Sequence, residues 1–255
     1  MIDAYTNPAT PRAAMKRLVL AAFLIFGLTS PAGAGFDEGM AAYQRGDYAA
    51  ALREWLPLAQ QGDAAAQHNL GVMYDNGEGV AQDDAEAVRW YRLAADQGYA
   101  AAQNSLGVRY DNGKGVAQDD AEAVRWYRLA ADQGLAAAQY NLGTMYDNGE
   151  GVPLDDAEAI KWYRMAAEQG YVEAQASLGF MYSIGEGVPE DDAEAVKWYR
   201  MVAEQGDAVA QYMLGVMYEI GEDVAVDLAE ARRWYRAAAD QGDAEANAAL
   251  QRLGP

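Results

Sequence analysis

Few residues of this sequence are of the types that carry catalysis. His68 is the sole histidine, and the chain contains no cysteine. A hydrolytic triad would need that histidine beside an activated serine and an aspartate, whereas the missing cysteines exclude disulfides, thiolate zinc sites and thiol catalysis. At successive steps of 36 residues after His68 the sequence holds Asn104, Tyr140, Ala176 and Tyr212. The position is therefore variable, and we expect His68 to be a solvated surface residue without a catalytic role.

Carboxylates are the second group that could do chemistry. The stretch 75–79 and the pair at 83 and 84 suggest calcium, but the EF-hand spacing D-x-[DN]-x-[DN]-G is not met. Asp83 and Glu86 are instead spaced as the N-cap and N3 residues of a capping box. The same acidic residues recur every 36 residues, as a structural part does, whereas a catalytic site is made once. We therefore expect no metal site, no cofactor and no catalytic residue.

Aromatic pairs reveal an internal repeat. Tryptophan followed by tyrosine recurs every 36 residues, with the tryptophans at Trp90, Trp126, Trp162, Trp198 and Trp234. A fixed period of this size is typical of a solenoid, in which each unit buries its apolar face against its neighbours. Because alanines lie at helical spacing from these pairs, we expect the pairs to pack between helices and not to form a carbohydrate-binding row.

Each unit contains the signals of two helices. In the first full unit, we expect one helix near Ala65–Asn76 that ends at Gly77, and a second helix that begins after Asp83. Gly71 lies inside the first of these helices, where glycine costs roughly 1 kcal/mol relative to alanine. Its recurrence in every full unit predicts a close crossing of the paired helix, and we expect the tryptophan to be the residue that crosses there.

The full units closely resemble the Sel1-like repeat, a relative of the tetratricopeptide repeat, through the pattern A-x-x-x-L-G-x-x-Y-x-x-G-x-G-V-x-x-D-x-x-x-A-x-x-W-Y-x-x-A-A-x-Q-G. Five units carry it, at 64–99, 100–135, 136–171, 172–207 and 208–243. The resemblance implies an all-α, right-handed superhelical solenoid of helix-turn-helix repeats that acts as a non-catalytic scaffold for proteins. Asp223 and Leu228 depart from the pattern. The pattern therefore does not predict the geometry of the loop in the last full unit.

The two ends of the array differ from the full units. Residues 35–63 predict a short helical pair in which Tyr43 precedes Trp55 by 12 residues, against 16 residues for the corresponding aromatic pair of the full units. We expect this pair to cap the array, and Trp55, with a neighbour on one side only, to contribute less stability than Trp162. At the other end, residues 244–255 predict a single closing helix.

Residues 1–34 have the composition of a secretory signal peptide. Two basic residues precede the apolar run 18–28, and a small-residue cleavage site ends at Ala34. The run is shorter than the about 20 apolar residues that a membrane-spanning helix needs. We therefore expect cleavage after Ala34 and a periplasmic or secreted protein with no stable membrane insertion after cleavage. Met15 is an alternative start to Met1.

The charge of the chain limits the classes of partner that we expect it to bind. The chain has 39 acidic and 19 basic residues and a formal net charge of −20. Such a surface repels phosphate backbones and anionic lipid headgroups, so we expect neither nucleic acid nor a membrane surface as a ligand. A protein or peptide that is neutral to basic is the expected partner.

The first helices carry the predicted binding surface. Positions 65, 68, 69, 72 and 76 of the first full unit, with their repeats, share one helix face, which lines the concave side of related solenoids by analogy. The predicted binding residues are His68, Asn69, Asn104, Tyr140, Asn141, Phe180, Tyr212 and Met213. The asparagines would bind a peptide backbone, and the aromatic residues would be apolar anchors. Replacing Phe180 or Tyr212 is expected to weaken binding and to leave the melting temperature unchanged.

Three alternatives stay open at this level. The first is an envelope hydrolase acting on the cell wall or on β-lactams, an activity linked to some cysteine-rich relatives. The absence of cysteine and of an S-x-x-K set argues against it. The second is a structural protein that self-associates through its ends. The third is a first-helix face that is solvated and binds no ligand.

Overall fold

The structure is a computed structural model that describes residues 34–221 and 224–254. Within these ranges the chain forms thirteen α-helices and no strand, which confirms the predicted all-α solenoid class. The helices are α1 Ala34–Gln44, α2 Tyr48–Gln60, α3 Ala64–Asn76, α4 Asp84–Ala95, α5 Ala100–Asn112, α6 Asp120–Ala131, α7 Ala136–Asn148, α8 Asp156–Glu168, α9 Val172–Ile184, α10 Asp192–Glu204, α11 Ala208–Ile220, α12 Leu228–Asp240 and α13 Ala244–Leu253. The predicted signal peptide up to residue 33 and the divergent Asp223 lie outside the described residues.

The odd-numbered helices are the first helices of their units, and the even-numbered helices are the second helices. Each helix packs chiefly on the helices directly before and after it in the chain. The core is therefore a continuous row of small apolar clusters between successive helices, as in other solenoids. Among the helices of the described ranges, none combines the length and the apolar character needed to cross a bilayer.

Local signals set the helix ends largely as expected. Asp83 caps α4, because its carboxylate accepts hydrogen bonds from the backbone N–H groups of Ala85 and Glu86 at 3.1 and 3.0 Å. The reciprocal half of the predicted capping box is not formed. Glu86 instead pairs with the guanidinium of Arg89 at 2.5 Å, and the N–H of Asp83 donates to the carbonyl of Tyr74. The α3 helix ends, as predicted, at Gly77 in the left-handed region.

The helical glycines mark the close crossing that the sequence predicts, but the crossing residue is a tyrosine. A Cβ built on Gly71 would lie 2.5 Å from Cδ1 of Tyr91, so only glycine fits there. The expectation that tryptophan fills this place is wrong. Trp126 belongs instead to the apolar cluster built on α4 and α5, and it therefore joins one unit to the preceding one.

The first helical pair, α1 and α2, uses its tryptophan differently from the full units. A Cβ built on Gly39 would lie 2.4 Å from Nε1 of Trp55, so Trp55 occupies the place that Tyr91 takes in the next unit. Trp55 is 1% exposed, whereas Trp162 is 8% exposed. The premise that Trp55 is an end residue with fewer neighbours is therefore wrong.

Helix α13 spans Ala244–Leu253, where the sequence predicts a single helix. Gln251 stands where the full units have glycine, and its side chain is exposed because no helix of the described residues crosses α13 at that position. Arg232 of α12 donates to the carbonyl of Leu253 at 3.0 Å and to that of Gly254 at 3.3 Å. These hydrogen bonds satisfy carbonyls that the end of a helix leaves without partners.

Candidate binding surface on the first helices

A row of buried glutamines positions the first helices. Gln139 is 1% exposed; its Nε2 donates to the carbonyl of Ala131 at 3.2 Å, and its Oε1 accepts from Nε2 of Gln169 at 2.8 Å. The first helix of each full unit is thereby tied to the ends of the second helices on both sides of it. The other members of the row are Gln67, Gln103, Gln175 and Gln211. These glutamines are not among the residues predicted from the sequence, although their unbroken recurrence among varying neighbours is a signal.

We use "first-helix surface" for the outward side of α3, α5, α7, α9 and α11, at positions 65, 68, 69, 72 and 76 and their repeats. The predicted binding residues belong to it by definition. Their environments differ, however, and only some of them present a side chain to solvent.

His68 is not the solvated residue that the sequence predicts. Its ring centroid lies 5.6 Å from that of Tyr91 and 5.5 Å from that of Tyr99, and its Nε2 lies 3.3 Å from Oγ of Ser105. Burial between these rings lowers the pKa of His68, which favours the neutral imidazole at neutral pH. His68 therefore contributes to packing between units.

Tyr140 and Tyr212 occupy the same repeat position as His68 and pack in the same way. The Tyr140 ring lies 5.5 Å from that of Tyr163 and 5.3 Å from that of Tyr171, and the Tyr212 ring lies 5.7 Å from that of Tyr235. Both side chains are half-buried. They can offer one edge to a ligand, but we now expect replacement of Tyr212 to lower the melting temperature as well.

The asparagines form contacts between neighbouring first helices. Nδ2 of Asn141 donates to Oδ1 of Asn104 at 2.9 Å, across 37 residues. Each of these amides therefore has only part of its hydrogen-bonding capacity left for a peptide backbone. Asn69 differs, because its Nδ2 is buried and has no hydrogen-bond partner within the described chain. It borders a cavity of about 60 Å³ that is also lined by Tyr43, Trp55 and Val72.

The first-helix surface becomes more apolar toward the C-terminal end of the array. Phe180 is 49% exposed, as expected of an apolar anchor, whereas Met213 is half-buried against the core of neighbouring helices. Ile184 and Ile220 are 52% and 57% exposed and are not among the predicted binding residues. Their equivalents in the earlier full units are the asparagines Asn76, Asn112 and Asn148.

The first helices of the full units carry more acidic than basic residues. Among the helices α3, α5, α7, α9 and α11, the one basic residue is Arg109, and its guanidinium pairs with Asp75 at 2.6 Å. The second helices carry most of the cations, and in each full unit one of these pairs one turn away with a glutamate, as Arg125 does with Glu122 at 2.9 Å. Glu219 of α11 pairs with Arg252 of α13 at 2.7 Å. The exposed carboxylate that the first helices of the full units offer to a ligand is therefore Glu173 of α9.

Helix pairs that contact only their neighbours, with a constant core and a variable outer face, define a solenoid repeat protein of the scaffold type. The Sel1 repeat model matches residues 64–99, 100–135, 136–171, 172–207 and 208–243. The chain therefore belongs to the Sel1 repeat family. Proteins with this repeat generally mediate protein–protein interaction, and the fold is typically a non-catalytic scaffold.

Two solved structures are similar along most of the chain. One is c5321, a protective antigen of uropathogenic Escherichia coli strains that displays an SLR fold, with 39% identity and a TM-score of 0.81 over 93% of this chain and 50% of that one. The present chain thus spans half the length of that protein. The other is a Sel1 repeat protein from Oxalobacter formigenes, with 37% identity and a TM-score of 0.78 over 86% and 92% of the two chains. No curated protein matches the chain.

Proposed function

We propose that this protein is a non-catalytic scaffold of the bacterial cell envelope that holds a protein or peptide segment on its first-helix surface. The observation that carries the proposal is the exposure of Phe180. The aromatic residues of the core are buried, whereas Phe180 leaves half of its side chain in water on this surface. Exposed large apolar side chains are typical of interaction sites.

The N-terminal sequence supports the proposed location. Residues 16–34 combine a basic pair, a short apolar run and a small-residue cleavage site, which together favour export to the periplasm or the medium. The two similar structures come from bacteria, which use this kind of signal. The acidic first helices and the net charge of −20 favour a neutral to basic partner.

Site-directed photo-crosslinking in a bacterial host tests the proposed surface. A photo-reactive phenylalanine analogue would replace Val108, Thr144 or Phe180 on the first-helix surface. The control positions are Leu93 and Leu129 on the second helices, which are 49% and 40% exposed. We expect protein adducts at one or more of the three first-helix positions and none at the controls. Adducts only at the controls, or at none of the five positions, would overturn the proposed binding surface.

A further inference from the structure

The last two full units present an exposed apolar patch that the earlier units lack. It consists of Phe180 and Ile184 on α9 with Ile220 on α11, and these side chains are 49%, 52% and 57% exposed. Phe180 and Ile184 lie one turn apart on the same helix face, and Ile220 holds the position of Ile184 one unit later. We call these three residues the apolar end.

The fold does not require this patch. The three earlier full units have asparagine at the position of Ile184 and Ile220, and their first helices have the same length of 13 residues and end at the same left-handed glycine. An isoleucine that is more than half exposed leaves apolar area in water, where it favours association. The patch therefore needs an explanation outside folding.

The charged residues around the apolar end limit which kinds of molecule can dock there. The helices α9 and α11 contain no lysine or arginine, and their charged residues are Glu173, which is exposed, and Glu219, which pairs with Arg252 of α13 at 2.7 Å. The exposed Glu186 follows in the loop after α9. Anionic lipid and nucleic acid are repelled by such a rim. A second copy that docks through the same face would bring two acidic rims together, in a chain whose net charge is already −20.

We propose that the apolar end is the docking site of a cationic protein segment, one that presents apolar side chains flanked by lysine or arginine. Its apolar side chains cover Phe180, Ile184 and Ile220, and its cations face Glu173 and Glu186. Apolar contact supplies most of the affinity, and the carboxylates select the sign of charge and speed the encounter. This inference rests on the proposed function and deepens it. It states the chemistry of the ligand, and it assigns the docking site to two of the five full units.

The test uses the full chain and three short synthetic peptides labelled with fluorescein. The first peptide is an amphipathic helix of leucine and lysine, the second has glutamate in place of lysine, and the third has serine in place of leucine. Fluorescence anisotropy titrations give the dissociation constants. We expect the leucine–lysine peptide to bind and the two others to bind at least about tenfold more weakly, which corresponds to ~1.4 kcal/mol.

The matched variants come from the chain itself. The double variant Ile184→Asn/Ile220→Asn restores the residue of the earlier units, and we expect it to weaken binding at least about tenfold, as the loss of anchor residues does. The reverse variant Asn112→Ile/Asn148→Ile extends the apolar surface and should strengthen binding, so the test does not depend on one variant. The control Leu93→Asn/Leu129→Asn removes comparably exposed apolar side chains from the second helices and should change nothing.

Several outcomes overturn the inference. They are an absence of binding by the leucine–lysine peptide, equal binding of the glutamate peptide, and equal weakening by the Leu93→Asn/Leu129→Asn control. Sedimentation velocity adds a fourth: a dimer that Ile184→Asn/Ile220→Asn dissolves would make a second copy the occupant. If crosslinking at Val108 and Thr144 nevertheless succeeds, the proposed function stands and only the assignment to the apolar end fails.

Discussion

Trp55 packs directly on Gly39, and a Cβ built on that glycine would lie 2.4 Å from the indole Nε1. The indole N–H also donates to the carbonyl of Phe36 at 3.2 Å. By contrast, Nε1 of Trp162 is buried and has no hydrogen-bond partner in the described part of the chain. The tryptophan of the first pair is therefore held at least as tightly as that of a central unit.

Replacing Trp55 should accordingly cost at least as much stability as replacing Trp162. We expect Trp55→Ala and Trp162→Ala each to lower the free energy of unfolding by about 3–5 kcal/mol, as large core truncations do. The measurement is a urea titration followed by far-UV circular dichroism. A loss of stability for Trp55→Ala well below that for Trp162→Ala would contradict this packing. It would instead support the expectation that a tryptophan at the end of the array contributes less stability.

Gly143→Ala should destabilise the protein although alanine is the better helix former. The new Cβ would lie 2.7 Å from Cδ1 of Tyr163 and 3.3 Å from the carbonyl oxygen of Ala159. Overpacking of this kind costs about 1–3 kcal/mol, which outweighs the ~1 kcal/mol gained by removing glycine from a helix. Gln251→Ala is the control, because no second helix crosses that position. A melting temperature raised by Gly143→Ala would disprove the close crossing.

Gln139→Leu should be destabilising even though it makes the core more apolar. The substitution removes two side-chain hydrogen bonds, the one from Gln139 to the carbonyl of Ala131 and the one from Gln169 to Gln139. The carbonyl of Ala131 still accepts from the N–H of Gly134 at 2.9 Å, so we expect a loss of about 0.5–1.5 kcal/mol for each hydrogen bond removed. Gln169→Ala removes one of the two hydrogen bonds from an exposed position and should cost less. Equal stability of Gln139→Leu and the wild type, in thermal unfolding, would show that the buried glutamines do not hold the units together.

Stability should fall at alkaline pH. Burial, together with the hydrogen bond of 2.5 Å to the carboxylate of Glu78, raises the pKa of Tyr43 from 10.0 to about 12. Because the unfolded chain ionises this tyrosine at lower pH than the folded chain, its contribution is complete below pH 10 and is lost as the pH rises toward 12. Burial raises the pKa of Tyr91 and Tyr163 in the same direction.

The measurement is the free energy of unfolding in urea at about pH 9 and about pH 11, for the wild type and for Tyr43→Phe. We expect the wild type to lose more stability between these conditions than the variant, which has no phenol to ionise at that position. An identical loss in both proteins would mean that Tyr43 titrates normally in the folded state.

Export gives a prediction that is independent of the packing. In a bacterial host, N-terminal sequencing of the full-length product should begin at Gly35, after the small-residue cleavage site. Bulky residues in place of Ala32 and Ala34 should block processing and leave a longer precursor. Soluble cytoplasmic protein that retains an intact segment from Lys16 to Ala34 would show that these residues are not a signal peptide.

Local sequence signals determined the elements of this fold. The 36-residue period, the cap at Asp83 and the glycine at Gly77 together predict the helix pairs to within a residue or so, because caps and helical periodicity act over a few neighbouring residues. The exposure of Phe180 and the closing helix after residue 243 were predictable on the same grounds.

The partner of each helical glycine was decided only by the tertiary structure. Trp90 and Tyr91 are adjacent in the chain and differ by about 100° around the helix axis, so periodicity brings both to the edge of the apolar face. The angle at which α4 crosses α3 selects Tyr91 for Gly71 and leaves the tryptophans to contact the neighbouring unit. A crossing angle depends on the side chains of both helices, so the sequence of one helix alone does not determine it.

The same holds for the binding surface. The hydrogen bond between Asn104 and Asn141 joins residues 37 apart, one residue off the period, so a comparison of equivalent positions cannot reveal it. His68 likewise occupies the same repeat position as Tyr140 and Tyr212. That equivalence alone does not show that all three rings lie against tyrosines of the second helices. Sequence therefore determined which face varies, whereas the stacking of one unit on the next decided which of its side chains remain available to a ligand, because burial is a property of neighbouring units together.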